Sequence, residues 1–287
     1  MSKASESKPE TFPAKVLANK PRIKLADRAG EVRELIIEME RPDFHCEAGQ
    51  SIGILTPLPA DADEPFHLRW YSIADIPARD DRGNPNVTIM VRRIVTQDQM
   101  TGETIRGLSS NYLCDLAAGD RLEVTGPIGL AFPIPEDTTA TLILIGAGTG
   151  IAPFRSFIKT LRRKHPDWSG LVRLFYGTRT GLDVLYMNDP NEDLQQYFDQ
   201  ETFDAFRALS PPPNWADPIA WDMAFSERGN ELLELMDKPN TYIYVAGREP
   251  IRDHLDSLFG KLLGSANQWN LRKQALVAEK RWAELVY

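Results

Sequence analysis

Two different rhythms of apolar residues divide this chain. From residue 11 to about residue 135 the apolar positions come in short, partly alternating runs. Residues 31–39 (EVRELIIEM) and 86–94 (NVTIMVRRI) are rich in β-branched side chains. Alternation of period two in such runs predicts half-buried strands. Turn-forming strings, EAGQ at 47–50 and DDRGNP at 80–85, separate them. Many short strands with turns between them predict a small antiparallel barrel.

The rhythm changes near residue 138. TLILI at 141–145 is a continuous apolar run, as expected of a strand buried on both faces. GAGTG follows at 146–150, and then a helical pattern. There Phe154, Phe157, Ile158 and Leu161 share one face at i, i+3, i+4 and i+7, with Lys159, Arg162 and Arg163 largely on the other. VRLFY (172–176) and YIYVA (242–246) read as further strands, and SPPPNWADP (210–218) as a proline-rich loop. Strand–helix alternation predicts an α/β domain on a parallel sheet. The expected organisation is a polar flexible leader at 1–11, an antiparallel β-barrel domain at 12–137 and an α/β nucleotide-binding domain at 138–287.

Composition narrows the function. The chain has 287 residues, 42% of them hydrophobic and 26% charged, enough for two cores. No apolar run approaches the roughly 18 residues of a membrane span, and the polar N-terminus lacks the apolar segment of a secretory signal, so a cytoplasmic location is expected. A net charge of −8 argues against nucleic acid as a partner. Basic clusters occur locally, at 22–33, at Arg92 and Arg93, at 162–164 and at 272–281. The two cysteines, Cys46 and Cys114, cannot supply a zinc or iron–sulfur ligand set, and read as small core residues. Any redox group must then be organic or reside on a partner.

Three strings can carry chemistry. A glycine turn between an apolar strand and a helix lets backbone N–H groups approach a pyrophosphate, and Gly146, Gly148 and Gly150 fit that task. RWYSIAD (69–75) sets an arginine, an aromatic and a hydroxyl on one strand: Arg69 for phosphates, Tyr71 for a flat ring, Ser72 for a reactive nitrogen. From that spacing alone, an ordinary edge strand with a surface arginine is the favoured reading. In RGLSSNYLCDL (106–116), Ser109 or Ser110 is a candidate N-cap whose helix start faces a phosphate, or merely caps.

Taken in order, these strings resemble the plant-type ferredoxin–NADP⁺ reductase family from about residue 13 to Tyr287. The resemblance is carried by EAGQSIGI, RWYSIAD, GLSSNYLCDL, RLEVTGPIG, GAGTGIAPFRSF, LFYGTRT and the final Tyr287. It implies FAD as cofactor, NAD(P)H as substrate, and ferredoxin or flavodoxin as partner. For FAD it implies Arg69, Trp70, Tyr71, Ser72, Arg92, Leu108, Ser109, Ser110 and Tyr287. For the nicotinamide nucleotide it implies Gly148, Thr149, Gly150, Thr178, Arg179, Ser210, Asp222, Gly247 and Arg248. Ser72, Tyr287 and Glu284 are the expected catalytic residues; no metal site is expected.

Departures from the family pattern shape further expectations. Thr96 stands where the family places an aromatic against the FAD adenine. Ala246-Gly247 replaces Cys-Gly, and Leu285 takes the place of the family's C-terminal glutamate, with Glu284 one residue earlier. Ser210 matches the serine that reads the 2′-phosphate of NADP, but Pro211 and Asp222 replace an arginine and a glutamine. A carboxylate repels a phosphate and suits a ribose diol, so the nucleotide preference is expected to be weak or tilted to NADH, with Arg179 and Arg207 available to compensate. Two further functions fit the sequence: an NADH-dependent reductase feeding an oxygenase or cytochrome P450 through a ferredoxin, and an FAD-bearing electron-transfer subunit with little nicotinamide activity.

Overall fold

The short runs of the N-terminal half fold as strands of one antiparallel sheet. In the computed structural model the described residues are 10–23, 31–47, 49–98, 100–129, 132–178, 203–209 and 228–287, with residues 23, 178 and 203–209 described by backbone alone. They fall into two compact units, Met1–Ala131 and Phe132–Tyr287.

The first unit contains, in chain order, β1 (Phe12–Ile23), β2 (Val32–Met39), β3 (Ser51–Pro57), β4 (Phe66–Ser72), β5 (Ala78–Arg79), β6 (Pro85–Arg92), β7 (Val95–Gln97), β8 (Thr104–Arg106), α1 (Leu108–Asp115) and β9 (Arg121–Ile128). Seven strands form one sheet in the order β4-β3-β9-β1-β2-β6-β5, and β7 and β8 form a separate ribbon. The predicted runs are β2 and β6, paired antiparallel with Leu35 opposite Ile89 and Ile37 opposite Val87. Those four side chains are fully buried together with Ile52, Ile54, Leu113 and Val124. The sheet is barrel-like. Its seam is held by one bridge, Ile73 to Ile89, and by Ala74 N–H to the Thr88 carbonyl at 2.8 Å. It goes no further because Asp75 accepts the next amide, that of Ile76, and Pro77 has none to give.

The second unit carries β10 (Thr141–Ala147), α2 (Ile151–Lys164), β11 (Val172–Thr178), β12 (Phe203–Leu209), β13 (Thr241–Gly247) and β14 (Trp282–Val286), with helices at Gly229–Asp237, Pro250–Leu262 and Ala266–Ala278. All the strands are parallel, in the order β12-β11-β10-β13-β14. TLILI, VRLFY and YIYVA are its three inner strands, which explains their continuous apolar character. On one face, Phe154 and Phe157 of α2 pack with Phe132 and Tyr244. On the other, Ile143, Ile145, Ile243 and Val245 meet Leu255, Phe259, Trp269 and Trp282. Phe259 stacks on Trp269 at 4.5 Å, and Trp269 lies 5.5 Å from Trp282. The predicted apolar face of α2 is fully buried. Arg162, Arg163 and Lys164 sit in its last turn, where the helix dipole favours cations. Among the described residues no helix is long and apolar enough to cross a membrane.

Candidate active site

In the first unit the predicted chemistry lies on β4 and at the start of α1. Pairing with β3 sets Arg69 opposite Ile54, Trp70 opposite Gly53, Tyr71 opposite Ile52 and Ser72 opposite Ser51. Strand alternation puts Arg69 and Tyr71 on one side. Tyr71 packs against the barrel core while Arg69 stays exposed. Burial raises the Tyr71 phenol well above its ordinary value, helped by Cys114 and opposed by Arg69, so the ring is neutral. Trp70 lies on the other side, close against Gly53. The half-buried Ser72 hydroxyl has no hydrogen-bond partner among the described residues. Arg92 ends β6 opposite Val32. Burial pushes the Cys46 and Cys114 thiols up to about 12, which makes both inert near neutrality.

The expected serine cap of α1 is corrected. The N-cap is Gly107 and no side chain caps the helix. Leu108, Ser109 and Ser110 form the first turn. The Ser109 hydroxyl faces the barrel and accepts from Thr56 Oγ1 at 2.7 Å. The Ser110 hydroxyl accepts from the Ile94 amide and donates to the Gly107 carbonyl. Both hydroxyls are thus committed elsewhere, and it is the first-turn amides, which lack intrahelical acceptors, that remain for an anion.

A residue that sequence reasoning named only within a basic cluster positions this turn. Arg93 is buried, 3% exposed. Its guanidinium reaches Glu31 and Asp115 at 2.8 Å each and Asn111 Oδ1 at 3.1 Å. Burial opposes the charge, but the hydrogen bonds to Asp115 and Glu31 outweigh it and raise the pKa further. The sole sequence signal was an arginine just after a strand, at a place where a barrel meets a helix.

In the second unit the predicted residues gather where the sheet reverses its direction of growth. From β10 the chain builds to β11 and β12, then returns to place β13 and β14 on the opposite side. The C-terminal ends of β10 and β13 therefore flank the switch point at which parallel α/β sheets bind ligands. After β10 comes the turn Gly148–Gly150. Gly148 has φ +57° with open space where a Cβ would sit, while a Cβ on Gly150 would meet the Ala246 carbonyl oxygen at 2.2 Å. The first leaves room for a ligand, and the second lets α2 begin hard against β13. No side chain caps α2. Tyr176 donates its hydroxyl to the Gly148 carbonyl at 3.0 Å and braces the turn.

Gly247 ends β13, and the exposed Arg248 follows it. Tyr287 joins both loops. Its amide donates to the Gly247 carbonyl and its carbonyl accepts from the Glu249 amide, each at 3.1 Å. Its hydroxyl lies 2.7 Å from Thr149 Oγ1. Glu284 is placed differently. Within β14 it alternates with Leu285 and shares the side of Trp282, where it meets Arg252 Nε (2.7 Å), Lys273 Nζ (2.9 Å) and Trp282 Nε1 (2.7 Å). Burial works against its charge, but those three partners together hold its carboxyl below the usual range. A carboxylate held by two cations anchors the terminal strand. Thr178 ends β11, described by backbone only. Arg179, Ser210 and Asp222 lie outside the described residues.

Comparison with known proteins agrees with this arrangement. A family profile described as an oxidoreductase NAD-binding domain matches residues 144–256. A ferredoxin–NADP reductase of Spirulina is 34% identical over 261 residues, 88% of this chain and 87% of that protein. Leaf isozyme 1 of the chloroplastic enzyme of Arabidopsis thaliana is 32% identical, across 91% of this chain and 73% of its own length. Among solved structures, a ferredoxin–NADP⁺ reductase from Plasmodium falciparum superposes with a TM-score of 0.67 over 96% of both chains at 21% identity, a likeness of fold. A barrel-like antiparallel unit followed by a parallel α/β unit with a glycine turn at its switch point defines a two-unit oxidoreductase. The chain belongs to the ferredoxin–NADP reductase family.

Proposed function

We propose that the chain is an FAD-dependent ferredoxin–NAD(P)⁺ reductase, of class EC 1.18.1.-, exchanging a hydride with NAD(P)H and single electrons with ferredoxin or flavodoxin. The observation that carries this reading is the glycine turn at the switch point with the terminal tyrosine bonded to it. FAD, when bound, takes two electrons from the nicotinamide together and passes them on singly. The residues present fit it. Ser72 offers an uncommitted hydroxyl, Tyr71 a neutral aromatic ring, and α1 a first turn of uncapped amides, with Arg69 as an exposed cation nearby in the same unit.

In this reading residues 12–137 hold FAD and residues 138–287 hold the nicotinamide nucleotide. Gly148, Thr149 and Gly150 receive the nucleotide with Gly247, Arg248 and Thr178. Tyr287 gates that site through its bond to Thr149. The relatives' names specify NADP, and NADP(H) is the nucleotide assigned; Pro211 and Asp222, which argue for NADH, lie outside the described residues. The cytoplasmic location expected from the sequence is retained as part of the proposal.

Anaerobic titration of the purified protein with NADPH and with NADH, following flavin absorbance, tests this directly. Bleaching by NADPH, followed by reduction of added ferredoxin, is the expected result. A protein that binds no FAD, or whose FAD neither nucleotide reduces, overturns it.

A further inference from the structure

Tyr176 brings to the C-terminal end of β11 a hydroxyl that packing alone does not require. Its ring is wholly buried (0% exposed) and sits opposite Gly146 of β10 in the parallel register. A phenylalanine ring would fill the same space. The hydroxyl instead reaches the glycine turn, where it donates to the Gly148 carbonyl at 3.0 Å.

The place of that bond gives it a consequence. Gly148 has φ +57°, with open space where a Cβ would sit. A glycine lets the peptide that follows it swing between orientations at little steric cost. The peptide itself is planar and trans, so the Gly148 carbonyl and the Thr149 amide point in opposite directions. With the carbonyl drawn onto the buried Tyr176, the amide faces away from the sheet. Swung the other way, the turn would meet an incoming anion with a carbonyl oxygen. The Ile151 amide does not decide between the two, because it reaches both the Gly148 and the Thr149 carbonyls. The Thr149 side chain is held separately, 2.7 Å from the Tyr287 hydroxyl.

We infer that Tyr176 is a positioning residue for the nicotinamide nucleotide: its hydroxyl holds the Gly148 carbonyl inward and so presents the Thr149 amide as a donor to the nucleotide's diphosphate. This rests on the nucleotide-binding reading of the turn given above. NADPH and NADH share the diphosphate, so the bond serves both alike. The diphosphate does not change during hydride transfer, so the contact acts on affinity and not on the rate of the bound complex.

Tyr176→Phe in the FAD-loaded chain tests this, because it removes one oxygen atom and keeps the ring. Calorimetric titration with NADP⁺ should show affinity about tenfold weaker, the upper end of what one hydrogen bond contributes. KM for NADPH and for NADH should rise by a common factor, with kcat no lower than wild type. Melting temperature and FAD content should stay near wild type. Unchanged NADP⁺ affinity, or a fall in kcat and melting temperature with KM unmoved, overturns the inference and leaves the reading of the turn standing. A wild-type chain that binds neither NADP⁺ nor NADH overturns both.

Discussion

The first turns of α1 and α2 are both helix starts without a side-chain cap, and they are held by opposite means. At α1 the fixing element is charge. Buried Arg93 ties Glu31, before β2, to Asn111 and Asp115 on the helix. At α2 it is shape, since Gly150 lets the helix start against the Ala246 carbonyl. A seat built from charge fails when a partner is lost, because the remaining ion is stranded in a poor solvent. A seat built from shape fails when an atom is added. Two uncapped helix starts thus depend on two unrelated sets of residues, each confined to its own unit.

The largest effect is expected from breaking the charged seat. Arg93→Met strands Glu31, itself 5% exposed, and should cost about 3–5 kcal/mol in chemical denaturation of the first unit. FAD should be lost on purification. A stable variant that retains FAD would mean Arg33, 3.8 Å from Glu31, suffices as its cation. Ser72→Ala probes β4 in the same unit without disturbing α1. Single-turnover reduction of the flavin by NADPH should slow by ~10²-fold, with FAD affinity nearly unchanged. An unaltered rate removes Ser72 from the reaction.

Breaking the shaped seat should cost less. Gly150→Ala forces α2 away from β13 and should destabilise by about 1–3 kcal/mol. Nucleotide-driven reduction should fall while FAD retention stays, the reverse of the Arg93 pattern; loss of FAD there would erase the distinction between the units. Tyr287→Ser should tighten nicotinamide binding and lower turnover, because release of oxidised nucleotide slows. Phe in place of the terminal tyrosine, Tyr287→Phe, removes the bond to the Thr149 hydroxyl while keeping the ring, and should shift affinity in the same direction by about 0.5–1.5 kcal/mol. Equal nucleotide affinity in all three proteins would detach the terminal ring from the site.

The smallest effect concerns pH. The Glu284 pKa is lowered in the folded chain, so its contribution is complete above its unfolded value and is lost as pH falls towards the folded one. Acid should therefore loosen β14 as Glu284 takes up its proton. Glu284→Gln should remove that part of the acid sensitivity, at a cost within about 1 kcal/mol at neutral pH. Melting curves recorded from pH 3 to 7 decide it.

Much of the fold was legible because burial leaves a plain pattern. β10, β11 and β13 are covered on both faces and read as unbroken apolar runs, and β2 and β6 were found by alternation. β14 was not, since WAELV mixes a charge and an alanine into five residues whose pairing partner lies about 40 positions earlier. The site was legible where backbone dictated it, as at Gly148 and Gly150. It was misread where long-range partners decided. Ser109 has the composition of a cap, but Thr56, 53 residues away, claims its hydroxyl. The partners of Glu284 were not readable, because Arg252 and Lys273 approach it from two separate helices. Arg93 was named only as part of a basic cluster because the carboxylates that pair with it are 62 and 22 residues distant.

The stacked aromatics beneath the parallel sheet have an optical consequence. Trp269 and Trp282 are buried with ring centroids 5.5 Å apart and planes inclined at 66°. Two indoles so close and so inclined share their excitation and give a signed couplet in circular dichroism. Trp282 belongs to the strand that carries Glu284 and leads to Tyr287, and Trp269 to a neighbouring helix. The couplet therefore reports whether the terminal strand is docked, at wavelengths where oxidation state can be followed separately through the flavin's visible bands. A built-in chromophore pair lets movement of the chain's last turn be timed against nucleotide binding with no label attached.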